Sequence, residues 1–202
     1  MNYKEKVKDI LEECLTERGF KLWKGVDKIL PDVWNKPTSS TGKYHKKLDG
    51  TVPDQAEHIY QMLYAAKKII RLFGYEPKSV NADVIFLAIA FHDSLKYGKF
   101  GTNKHTDYNH DKNAADMIKY NENTFLKIFD EEQAATLQEA VRFHSGRWST
   151  DVGNVEKFDW DRSELKATTF FIHLLDMMST ADLIQTDIRD NINDVSISEA
   201  SA

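Results

Sequence analysis

Eight consecutive apolar residues, Val84 to Phe91, run without a break into His92 and Asp93. A helix that is apolar on every side has no face to offer solvent, so this segment must form the buried centre of whatever the chain folds into. The stretch is also far too short to cross a bilayer. The His-Asp pair at its end is therefore carried into the interior. A buried carboxylate must be paired, protonated or bound to metal, because an isolated charge there is strongly unfavourable. Asp176, embedded in HLLDMM, makes the same demand. Two such carboxylates and several histidines in one core point to a bound metal ion.

The rest of the 202-residue chain reads as helices around that centre, with no strand alternation and no internal repeat. The expectation is a single all-α domain over 1–202. A first amphipathic helix runs from Asn2 to about Thr16, Gly19 marks its end, and residues 1–20 form an N-terminal helical unit. From Lys21 to Pro53, Gly and Pro interrupt the pattern, which predicts a long ordered loop or a set of short helices. Further helices are expected at about Asp54–Phe73, stopped by Gly74, and at Asn81–Lys96. Three more are expected at His110–Tyr120, at Glu131–Phe143 behind an Asp130 cap, and at about Ser163–Ile184. The polar tail, 195–202, is expected to fray.

Composition narrows the function. With 27 basic and 32 acidic residues the net charge is −5, so no global attraction to nucleic acid or to an anionic membrane is built in. The N-terminus lacks the apolar core of a signal peptide, and a cytoplasmic location is expected. The single cysteine, Cys14, can neither form an internal disulfide nor build a cysteine-based zinc site. Any transition metal must then be held by histidine and carboxylate.

A lone histidine on an apolar face is more often a satisfied core residue than a ligand. The set reads differently: His58, His92-Asp93, His110, His144 and Asp176 each fall near the start, the end or the apolar face of a predicted helix. That pattern suits a bundle whose helices converge on one site. EHIYQML, LAIAFHDSLKYG, NHDKNAADMI, AVRFHSG and HLLDMMS, which contain these residues, together resemble the HD-domain metal-dependent phosphohydrolases over about His45 to Ile184. LAIAFHDSLKYG is the most specific of them, since an apolar helix entering His-Asp, with Lys96 and Gly98 after it, is that family's signature. PTSSTGKYHKKLDG resembles the stretch before the first metal histidine in some nuclease-like and phage-like branches, which places His45 near the site.

The resemblance implies an HD-type helical bundle, with its core over 37–187, around a buried site for one or two divalent ions: Fe, Mn, Co, Ni, Zn or Mg. His58, His92, Asp93 and Asp176 would hold the first ion, and His110 and His144 would join Asp93, the bridging carboxylate, at the second. It implies hydrolysis of a phosphate ester or anhydride of a nucleotide or related small molecule by metal-activated water. Asp93, Lys96 and Arg147 would be the catalytic groups, and His45, Lys96, Arg147 and Trp148 the substrate contacts. Asp182 is the rival to Asp176, and His105 to His110. His173 is a candidate partner behind the ligands, and Lys99 reads as a solvated cation. Three other activities are compatible with such a ligand set: a diiron oxygenase, a 3'-to-5' nuclease on single-stranded nucleic acid, and a non-catalytic nucleotide sensor stabilised by metal.

Overall fold

The computed structural model describes residues 2–39, 45–47, 49–146 and 166–180. In chain order the elements are α1 (Tyr3–Cys14), α2 (Glu17–Asp27), α3 (Gln55–Ile69), extended by a 3-10 turn (Ile70–Phe73), and α4 (Val80–Phe91). They continue as α5 (His110–Tyr120), α6 (Glu122–Phe125), α7 (Glu131–Arg142) and α8 (Lys166–Thr180). Among the described residues there is no strand, only an isolated bridge between Pro37 and Asp54. The fold is all-α. None of the described helices is long and apolar enough to cross a membrane.

Helix α4 is the centre that its sequence demands. Every residue from Ala82 to Phe91 is buried, and the helix packs against α1, α2, α3, α7 and α8. Phe91 meets Phe125 of α6 edge-on, with ring centroids 6.3 Å apart. Burial of each such side chain contributes about 1.5–3 kcal/mol, and apolar residues from all eight helices join the same core. Local signals start and stop the elements as expected in several places. Asp54 accepts from the Glu57 amide at 2.8 Å, Asp130 forms a capping box with Gln133, and Gly74 ends the 3-10 turn at φ 80°.

Two expectations are corrected. Regular α4 ends at Phe91 rather than Lys96. The ring of His92 donates to the Ile89 carbonyl, the acceptor that a continuing helix would offer to the Asp93 amide. Beyond it the backbone tightens into i→i+3 turns, with the amides of Ser94, Lys96 and Gly98 bonded to Phe91, Asp93 and Leu95.

The second correction concerns Gly19, which is not a helix stop. The chain turns at Leu15, Thr16 caps α2, and Gly19 lies in the first turn of that helix. The cause is a buried carboxylate on α4. Asp83 accepts from the Thr16 amide at 2.8 Å and from its hydroxyl at 2.5 Å, while the Thr16 hydroxyl oxygen accepts from the Gly19 amide. A Cβ on Gly19 would lie 2.4 Å from Asp83 Oδ2. Glycine is there because α2 approaches that carboxylate so closely.

In an ordinary helix interior, Gly→Ala stabilises by roughly 0.5–1 kcal/mol. Gly19→Ala should instead destabilise the protein by about 1–3 kcal/mol, since Asp83 is held by Thr16 and cannot move aside freely. Urea unfolding should show this as a lower midpoint with an unchanged slope.

Candidate metal centre

Five elements and the turns that end them deliver six side chains to one point. His58 comes from the first turns of α3, His92 and Asp93 from the end of α4, and His110 opens α5. His144 sits in the turn after α7, and Asp176 lies on α8. His58, His92, Asp93 and His144 are at most 2% exposed, whereas the side chains of His110 and Asp176 are 13% and 14% exposed. One rim of the cluster therefore reaches solvent.

Asp93 lies at the middle, and its two oxygens face different partners. Oδ2 is 3.5 Å from His92 Nε2 and 3.8 Å from His58 Nε2. Oδ1 is 3.2 Å from His110 Nε2 and 3.5 Å from His144 Nε2. Asp176 Oδ1 stands 3.3 Å from His58 Nε2, and the Nε2 atoms of His58 and His92 are 3.2 Å apart.

The protonation of these rings follows from what their other nitrogens touch. Nδ1 of His92, His110 and His144 donates to the carbonyls of Ile89, Asp107 and Val141 at 2.7, 2.8 and 2.7 Å. A carbonyl can only accept, so each Nδ1 carries the proton. His58 Nδ1 meets Ser179 Oγ at 2.7 Å, and the Ser179 hydroxyl donates to Gln61 Oε1 at 3.0 Å, so His58 also donates from Nδ1. Four Nε2 lone pairs are thus turned toward two carboxylates. Acceptors facing acceptors in a buried site repel one another unless a proton or a cation lies among them. Asp93 Oδ1 and Asp176 Oδ1 are buried with no hydrogen-bond donor. Neutral imidazole nitrogens combined with carboxylate oxygens are a donor set for divalent metals, and the residues fit such an ion.

The electrostatics agree. Burial alone would raise the pKa of Asp93, but the Lys96 ammonium, together with the imidazoles when a second proton stands in for the cation, outweighs it and holds the carboxyl well below its usual range. Burial would likewise raise Asp176, yet His58, His45 and His92 keep it low. Desolvation lowers His58 and His144. At His92 the same desolvation is overcome by Asp93 and Asp176, and its pKa rises. Lys96 Nζ lies 2.5 Å from Asp93 Oδ2 and is itself buried.

Of the remaining sequence candidates, His45 is buried with its ring edge-on to His58. His173 Nδ1 donates to the His144 carbonyl at 2.7 Å, so it braces the turn that carries a ring of the cluster. His105 and Lys99 are exposed. Arg147, Trp148 and Asp182 lie outside the described residues. Ser179 and Gln61 went unread in the sequence. Each stands three residues after a cluster residue on the same helix, Asp176 and His58 respectively, and that spacing was the available signal.

A family model described as HD domain matches residues 56–193, more than half of the chain and all six clustered residues. No curated protein and no solved structure matches the chain.

Because a ligand that binds only the folded state stabilises it, Mn²⁺ or Zn²⁺ at a hundred times its dissociation constant should add about 2.7 kcal/mol. Asp93→Ala should abolish that gain in a thermal-shift assay. Acid should weaken binding, because protons compete for the same Nε2 lone pairs. With His92 raised above its ordinary 6.5, the loss should begin at a higher pH than for a free imidazole. Calorimetric titrations across the neutral range would check this.

Proposed function

The chain belongs to the HD-domain family, the HD metal-dependent phosphohydrolase superfamily, and we propose that it hydrolyses a phosphate ester or anhydride of a nucleotide or a related small molecule. The observation that carries this reading is the division of Asp93, with one oxygen toward the His58 and His92 pair and the other toward His110 and His144. A carboxylate so placed is suited to being shared by two ions. His58, His92, Asp93 and Asp176 would hold the first, and Asp93, His110 and His144 the second.

Divalent ions held there would supply Lewis acidity toward a phosphoryl oxygen and a hydroxide nucleophile near neutral pH. No side-chain nucleophile is then needed. The chain's own residues have the work of binding and orientation. The Lys96 ammonium has three N–H donors, of which one is engaged by Asp93, so it can hold a phosphoryl oxygen beside the shared carboxylate. Arg147 and Trp148 follow His144 closely in sequence. They are read as contacts to phosphate and to the base or sugar.

A phosphate-release screen over nucleoside mono-, di- and triphosphates with Mn²⁺, Co²⁺ and Ni²⁺ tests the activity, and oxygen-18 from labelled water should appear in the released phosphate. Lys96→Ala should lower turnover on the order of a hundredfold, the scale for loss of one preorganised transition-state contact, while metal content survives. A requirement for dioxygen, with its label entering an organic product, would overturn hydrolysis and assign the cluster to oxygen activation.

A further inference from the structure

We propose that His45 is a further metal ligand of this centre, supplied by the loop before α3 to the same ion as His58 and Asp176. This rests on the two-ion reading above and extends it to a residue that precedes the stretch matched by the family, 56–193.

Three independent features set His45 apart from a core histidine. Its ligand atom, one from His58 and one from Asp176 all lie within 4.8 Å of one another. Its Nδ1 is buried without a hydrogen-bond partner, whereas Nδ1 in each of the other four clustered imidazoles is satisfied by a carbonyl or by Ser179. The Asp176 oxygen nearest His58 is likewise unpartnered. Unsatisfied polar atoms on residues whose ligand atoms are grouped this closely suit a cation site better than packing.

The backbone supports the same assignment. His45 adopts φ 57°, in the left-handed region that non-glycine residues seldom occupy and that recurs at functional sites. The loop around it is tied to the start of α3. Lys47 Nζ bonds Glu57 Oε1 at 2.9 Å, and the Lys47 amide bonds the Thr51 carbonyl at 2.9 Å. Glu57 is the neighbour of His58, so the tether sets the His45 ring against the His58 ring, with centroids 4.9 Å apart. A substrate contact has no need of such a position among metal-type donors.

The test is titration of metal-free protein with Co²⁺. His45→Gly removes the imidazole while accepting the left-handed backbone without strain. It should weaken one of the bound ions by at least the roughly 10–100-fold that loss of a supporting group around a metal produces, and leave the other unchanged. His45→Cys loaded with Co²⁺ should show a sulfur-to-cobalt charge-transfer band in the near ultraviolet. That band should be absent from wild type, which retains Cys14, and from His45→Ser. Wild-type Co²⁺ affinity in His45→Gly, together with no band in His45→Cys, would overturn the inference alone. Failure of the wild-type protein to bind Co²⁺ would overturn it together with the two-ion reading.

Discussion

A negative charge at the inner end of a wholly apolar helix is the condition around which this molecule is arranged. Helix α4 is buried along its length, so Asp93 cannot reach water, and its ionised form survives only with cationic help close by. Lys96 supplies one part of that help three residues away. Four imidazoles surround the rest, and each turns a nitrogen toward a carboxylate. A charge that would otherwise be strongly destabilising becomes the shared anchor of a cation site.

A second carboxylate on the same helix makes the contrast plain. Asp83 is as deeply buried as Asp93. Both of its oxygens accept from Thr16, and burial raises its pKa. Through Thr16 it joins the start of α2 to α4. Asp93 has one direct ammonium contact and otherwise lone pairs, with Oδ1 lacking any donor. One carboxylate is satisfied by hydrogen bonds within the protein, and the other sits in a donor set suited to a cation.

The histidines are held by a repeated device. His92, His110 and His144 each donate to a carbonyl three residues earlier in the chain. That bond selects the tautomer and leaves Nε2 without a proton, the outer support that metal-binding histidines ordinarily have. His58 lies in the body of α3, where such a carbonyl is already taken by the helix, and it relies on Ser179 of α8 backed by Gln61. His173 adds a brace behind His144. There a Cβ on Gly146 would come within 2.7 Å of its ring, so the turn must carry glycine to admit it.

Much of this was legible before any coordinates. An apolar run with no polar face has one place to go, and the start near Asp54, the cap at Asp130 and the stop at Gly74 are local chemistry that the sequence writes out. His58, His92, Asp93 and Asp176 could be nominated because polar groups in apolar sequence need an explanation, and His110 and His144 joined them through the resemblance to the family. Three-dimensional packing alone decided which atoms meet. The 3.6-residue period says which face of a helix points inward, but not which groups from distant helices arrive there. Thus the split of Asp93 between two histidine pairs had no local trace, the Ser179–Gln61 support showed only as a three-residue spacing, and the resemblance around His45 put it near the site without setting its ring against His58. Gly19 was misread for the same reason, because a glycine that ends a helix and one that makes room for a remote carboxylate look alike until Asp83 is in position.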